Sequence, residues 1–215
     1  MLVASSAQAQ NLFVSDKLSG NIYEFTPGGV QTTFASGLSE PRGLAFNSAG
    51  DLFVAGTDSG NIYEYSPGGV QTTFASGLSL PGELAFNSAG DLFVSDDGSG
   101  NIYEFTPGGV RSTFASGLDQ PVVLAFDSAG NLFDSDWGTI PTGTINGGSI
   151  NEFTPGGAQS TFASPLDKPW GLAFQGETLP VPEPSALGLL AVGATALLVR
   201  RRRCATVEPH CGNRI

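Results

Sequence analysis

The chain has 215 residues, 30 of them glycine, with 13% charged residues and a net charge of −11. Residues 1–180 hold four basic and 18 acidic side chains, which excludes a nucleic-acid-binding surface and repels anionic lipid headgroups. No cysteine precedes Cys204, so no disulfide staples the body of the chain.

The first nine residues, MLVASSAQA, end in small side chains, and Ala7-Gln8-Ala9 has the A-x-A pattern of a signal-peptidase site. A basic n-region and a longer apolar stretch are missing. Residues 1–9 are therefore expected to be the remnant of a signal peptide truncated by a wrong start codon, cut by signal peptidase after Ala9.

Residues 10–178 repeat one unit four times, at 11–50, 51–90, 91–130 and 131–178. The first copy reads NLFVSDKLSGNIYEFTPGGVQTTFASGLSEPRGLAFNSAG. Each copy holds four short strand patterns: LFVS, then NIYEFT after Ser-Gly, then VQTTFAS after Pro-Gly-Gly, then GLAFNS after a proline-containing loop. Short β-prone runs separated by turn signals predict an all-β repeat. Leu12, Phe13, Val14, Ile22, Tyr23, Phe25, Phe34, Leu38, Leu44 and Phe46 recur with little change. A single sheet with both faces apolar must be covered by neighbouring sheets, as blades are in a propeller. With GLAFNS as inner strand A, the chain starts at strand B of the first blade. Residues 171–175 are then expected to complete that blade and clasp the ring, giving 16 strands. A dimer forming an eight-bladed ring, or an open arc, remains as an alternative. The units resemble the NHL-type propeller repeat, and the resemblance implies a four-bladed β-propeller over 11–178. Gluconolactonase-like and lyase-like propellers share the pattern.

The copies differ mainly in two loops. The B–C loop carries Lys17, Asp58, Asp97 and Trp137, and the fourth copy inserts eight residues there. The D–A loop carries Arg42, Glu83, Lys168 and Trp170. In an up-and-down blade these loops share one side, whereas the Pro-Gly-Gly turn on the other side hardly varies. These eight residues form the expected ligand-binding rim. The only two tryptophans, Trp137 and Trp170, both fall on it, suited to stacking on sugar rings of an extracellular polysaccharide. Unconstrained drift of the loops is the competing explanation.

Catalytic chemistry is thinly represented. The body has no histidine, so acid–base or nucleophilic catalysis through imidazole has no candidate there. Glu24, Glu64, Glu104 and Glu152 recur once per unit and read as structural. The stretch 95–104, SDDGSGNIYE, lacks the D-x-D-x-D-G spacing of a calcium loop and reads as a hairpin turn. No metal site, catalytic residue or cofactor is expected, with Ca²⁺ the one ion that the acidic loops leave open.

Val181, Pro182, Glu183, Pro184 and Ser185 begin a tail of three parts. An uncharged run follows over 185–199, then Arg200, Arg201, Arg202 and Arg203. Fifteen residues make a helix of about 22 Å, short against a bilayer core of about 30 Å. The arginines are expected on the cytoplasmic side. The order VPEPS, apolar run, RRRR resembles the PEP-CTERM sorting signal of Gram-negative bacteria, here covering 179–203. The resemblance implies export, transient membrane anchoring through this helix, and processing near Pro182-Glu183-Pro184 by an exosortase-type transpeptidase. Release to the cell surface or extracellular matrix would follow. Residues 204–215, which include Cys204, His210 and Cys211, are expected to form a cytoplasmic tail. Taken together, the reading is a non-enzymatic binding or structural protein of the polysaccharide matrix. A gluconolactonase- or lyase-like enzyme is the first alternative, and a degenerate paralogue without a ligand is the second.

Overall fold

The computed structural model describes residues 10–138 and 147–174. The chain divides into two compact units, Met1–Phe174 and Gln175–Ile215, and all described residues lie in the first. The sorting motif, the apolar run 185–199, Arg200 to Arg203 and the tail all lie outside the described residues, as do residues 1–9.

Among the described residues the fold is all-β, with 15 strands in four antiparallel sheets. The first sheet is β1 (Leu12–Asp16), β2 (Asn21–Phe25) and β3 (Gln31–Ala35). The second is β4 (Pro41–Phe46), β5 (Leu52–Gly56), β6 (Asn61–Tyr65) and β7 (Gln71–Ala75). The third is β8 (Pro81–Phe86), β9 (Leu92–Asp96), β10 (Asn101–Phe105) and β11 (Arg111–Ser116). The fourth is β12 (Pro121–Phe126), β13 (Leu132–Asp136), β14 (Gly148–Phe153) and β15 (Gln159–Leu166). Strand order within each sheet follows chain order, so consecutive strands of a sheet are joined as hairpins.

The blades stack because their middle strands are apolar on both faces. Leu52 and Val54 of β5 pack with Ile22 and Leu38 of the first blade. Phe53 and Ala55, alternating to the opposite face, pack with Leu92, Val94 and Phe105 of the third. Phe93, Ile102 and Ala115 repeat the arrangement against Leu132 and Phe153 of the fourth. An aromatic ladder runs through these interfaces. Phe13 meets Phe46, Phe53 meets Phe86, and Phe93 meets Phe126, each edge-on at 5.1 Å. Phe34, Phe74 and Phe114 reach Tyr65, Phe105 and Phe153 at 5.5–5.7 Å. These are favourable edge and tilted geometries, worth about 0.5–1.5 kcal/mol a pair beyond area burial.

The expected clasp is not made within the chain. Residues 171–174 adopt no strand, and β1 pairs with β2 alone among the described residues. Phe174 instead stacks on Phe133 of the fourth blade at 4.9 Å. That is the contact Phe46, Phe86 and Phe126 make with the blade before each of them. The segment therefore stands where a fifth blade would begin, too far round the arc to reach the first. The first blade has three strands for this reason.

A strained residue recurs at each D–A corner. Glu40, Leu80, Gln120 and Lys168, each just before a proline, have φ of 47°, 65°, 61° and 46°. The left-handed region costs a side-chain-bearing residue about 1–2 kcal/mol. The conformation turns the carbonyls of Glu40, Leu80 and Gln120 onto the N–H groups of Thr57, Asp97 and Trp137, at 3.1–3.3 Å, tying the D–A loop to the B–C loop. Gln120→Gly is expected to relieve the strain and raise stability by about 0.5–1 kcal/mol, after the entropy glycine costs. A higher denaturant midpoint checks this, and a lower one would show that the side chain carries the corner.

Candidate functional site

Strands β4, β8 and β12 lie side by side along the inner edge of the arc, with their first residues at the variable-loop end. A cleft of about 290 Å³ opens there, lined among others by Ser15, Lys17, Arg42, Glu83, Asp97 and Trp170. Five of the eight rim residues expected from the repeats thus meet at one place. Trp137 adjoins them, packed against Trp170 in a tilted pair with ring centroids 4.6 Å apart and planes inclined by 43°. The Lys168 ammonium lies 5.4 Å from the centre of the Trp137 ring, a cation–π arrangement. Asp58 is exposed in its loop and does not line the cleft.

The charges in the cleft are arranged in order. Lys17 pairs with Glu40 at 2.9 Å, and Arg42 lies 3.8 Å from the same carboxylate. Both pairs are partly exposed and contribute little stability. Burial raises the carboxyl of Glu83. Burial likewise raises Asp97, with Arg42 opposing the shift. One wall therefore carries Lys17 and Arg42, and the other carries two carboxyls whose ionisation burial disfavours. Trp170 is 60% exposed, so it presents a free face beside both.

Hydroxyls that the sequence reading passed over hold this wall. Ser15 Oγ donates to the Arg42 carbonyl at 2.7 Å, and Thr57 Oγ1 donates to that of Pro81 at 2.8 Å. Ser95 Oγ donates to the Val122 carbonyl at 3.2 Å and accepts the Glu83 N–H at 2.8 Å. Each links one blade to the inner strand of the next. Their signal was a polar residue inside an otherwise apolar strand at Ser15 and Ser95, and just past the end of one at Thr57.

A second feature was also missed. Asp134 is fully buried with neither carboxylate oxygen hydrogen-bonded, and Asp136 Oδ1 and Trp137 Nε1 are likewise buried and unpaired. Asn151 donates to Asp136 Oδ2 at 3.1 Å. Asp134 occupies the position of Val14, Val54 and Val94, and its cross-strand partner Asn151 that of Tyr23, Tyr63 and Tyr103. Burial, followed by the Asp136 carboxyl, raises Asp134 well above the usual carboxylate range. Comparing the four copies position by position would have exposed the paired exchange. Among the described residues no group of three or more His, Cys, Asp or Glu side chains is placed to hold a metal ion. The recurring glutamates Glu24, Glu64, Glu104 and Glu152 sit on the third strand of each blade pattern, two strands from the inner one.

Hairpin sheets packed face to face around an inner cleft define a β-propeller architecture, and solved structures agree. The chain is similar to a streptogramin B lyase, with a TM-score of 0.63 and 16% identity over 75% of this chain and 53% of that one. It is similar to a chain of a nidogen/laminin complex, at 0.60 and 22% over 71% and 60%. It is also similar to a gluconolactonase of Xanthomonas campestris, at 0.61 and 16% over 76% and 59%. The chain thus spans between half and two thirds of the length of these proteins, and the likeness is one of fold. No curated protein matches the sequence. Residues 180–203 match the PEP-CTERM protein-sorting motif. That motif is the signal for exosortase processing and marks an exported protein, membrane-anchored before processing.

Proposed function

We propose that this protein is a non-enzymatic glycan-binding propeller, sorted to the surface of a Gram-negative cell and held in its extracellular polysaccharide. The observation that carries the reading is the tilted pair Trp137–Trp170 beside the axial cleft. An exposed indole face offers a flat apolar platform whose edge stays wet, matching the two-sided chemistry of a sugar ring. Lys17 and Arg42 supply cationic donors for hydroxyl or carboxylate substituents, and the raised carboxyls of Glu83 and Asp97 supply further hydrogen bonds. The sorting motif supports the setting, because it directs the protein outward.

The test is retardation of the purified protein in gels containing the producer's own matrix polysaccharide. Trp170→Ala is expected to weaken binding by roughly 2 kcal/mol, about thirtyfold in Kd. Trp137→Ala should act in the same direction by releasing the packed partner. Asp58→Ala, at a side chain that does not line the cleft, should leave retardation unchanged. Equal retardation of wild type and the double tryptophan variant would remove the glycan reading.

A further inference from the structure

The two ends of the arc are the two halves of an interface that the chain already makes three times. Leu52, Leu92 and Leu132 are each 1% exposed against the preceding blade, whereas the equivalent Leu12 is 62% exposed. Val54 and Val94 are buried, and Val14 is exposed. Among the described residues Phe25 lacks the aromatic partner that Tyr65, Phe105 and Phe153 have. At the other end, Phe162 is 66% exposed and lacks the onward contact that Phe34, Phe74 and Phe114 make. The edge of β1 also lacks the inner strand that β4, β8 and β12 provide to the other blades. The sequence of such a strand, PWGLAF at 169–174, stands unpaired at the far end.

We propose that a second copy of this chain closes the ring head to tail, so that residues 169–174 of each copy become the inner strand of the other's first blade. The internal interfaces specify the contacts. Leu44, Ala45 and Phe46 pair with Val54, Phe53 and Leu52, so Leu172, Ala173 and Phe174 pair with Val14, Phe13 and Leu12 across the junction. Phe162 then stacks on Phe25, as Phe114 does on Phe153. The Lys168 carbonyl, at the same left-handed corner as Glu40, faces the Lys17 N–H as the Glu40 carbonyl faces that of Thr57. One rotation makes both junctions identical, which closes the assembly. Eight blades lie within the range of closed propellers. The exposed side chains at both ends are apolar, so the junction buries surface that otherwise remains in water.

The experiment uses the full chain in mild detergent, with Cys204 and Cys211 changed to serine and Val14→Cys combined with Leu172→Cys. Opposed residues of antiparallel strands have Cα atoms about 4.5–5.5 Å apart, within disulfide reach. Oxidation is expected to give a covalent species of two chains, and the pair Leu18→Cys with Leu172→Cys is expected to give at least tenfold less. Phe162→Asp, added to the first pair, should abolish the dimer. Phe162 also meets Phe133 edge-on at 5.3 Å within the monomer, so a small fall in melting temperature is expected, and a cooperative melt shows that the monomer stays folded. A link within one chain, open polymers, or a non-crosslinking monomer would each overturn the proposal, the last also being the result if another polypeptide supplies the missing blades. Chain mass is read without any glycan, so failure here is separate from failure of the binding reading.

Discussion

Asp134→Val is expected to stabilise the propeller by about 2–4 kcal/mol at neutral pH. The substitution restores the residue found at Val54 and Val94, both fully buried on the same strand face. It removes a carboxyl whose two oxygens have no hydrogen-bond partner. Overpacking is not a concern, because the cross-strand neighbour is Asn151 where the other blades carry tyrosine. The pH dependence has a definite sign. Burial raises the folded-state pKa of Asp134 above its unfolded value, which is about 3.9. The folded state therefore binds more protons than the unfolded state between those two values, and stability falls as pH rises through that window. The contribution is least unfavourable below about pH 4. Glu83, Asp96 and Asp97 are raised by burial too and add to the same slope, so the difference between variant and wild type cancels them and reports Asp134 together with the adjoining Asp136 carboxyl. Urea midpoints measured from pH 4 to pH 7.5 should diverge with rising pH. Curves that stay parallel would show that Asp134 does not set the slope.

The repeat was the most legible part of this chain, and the reason is physical. A strand that must be covered on both faces needs apolar residues at consecutive positions, and LFV in the first three copies shows that requirement directly. The hairpin turns were legible because Ser-Gly and Pro-Gly-Gly fix backbone geometry locally. The clustering of the variable loops was legible for the opposite reason: Lys17, Asp97, Arg42, Glu83 and Trp170 differ from their counterparts, and the fold brings these five to one cleft. Closure was not legible. Whether residues 171–174 reach β1 depends on the angle between successive blades, which arises from packing of Phe13, Phe53, Phe93 and Phe133 against the next inner strand and has no signature in any one copy. The pairing of Trp137 with Trp170 was half legible. Both could be assigned to one side, but their contact depends on the register of β13 and on the corner at Lys168. Asp134 was hidden because a consensus reading of the repeat averages away the one copy that departs from it.

The other large effect is expected at the B–C turn. Gly100→Ala should cost several kcal/mol, and Gly117→Ala only about 1–2 kcal/mol. Both glycines have positive φ, 64° and 75°, so both substitutions bear the left-handed penalty. They differ in what surrounds them. A Cβ at Gly117 would meet nothing within 4 Å, whereas one at Gly100 would lie 2.5 Å from the Leu118 carbonyl oxygen. That oxygen is backbone and cannot rotate aside. The Leu118 N–H donates to the Gly100 carbonyl at 3.0 Å, and the Gly100 N–H donates to the Asp96 carbonyl at 3.0 Å. Moving either strand therefore breaks hydrogen bonds that hold the end of β9 to the start of the D–A loop. Those bonds also position Asp97 at the cleft, so Gly100→Ala should weaken glycan binding as well as stability, while Gly117→Ala leaves binding unchanged. Gly20 and Gly60 have the same conformation and the same close backbone neighbour, Leu38 and Leu78 respectively, and their alanine variants should match Gly100→Ala. Thermal melts of the four variants separate backbone strain from steric exclusion. Equal losses at Gly100 and Gly117 would show that the left-handed conformation alone sets the cost.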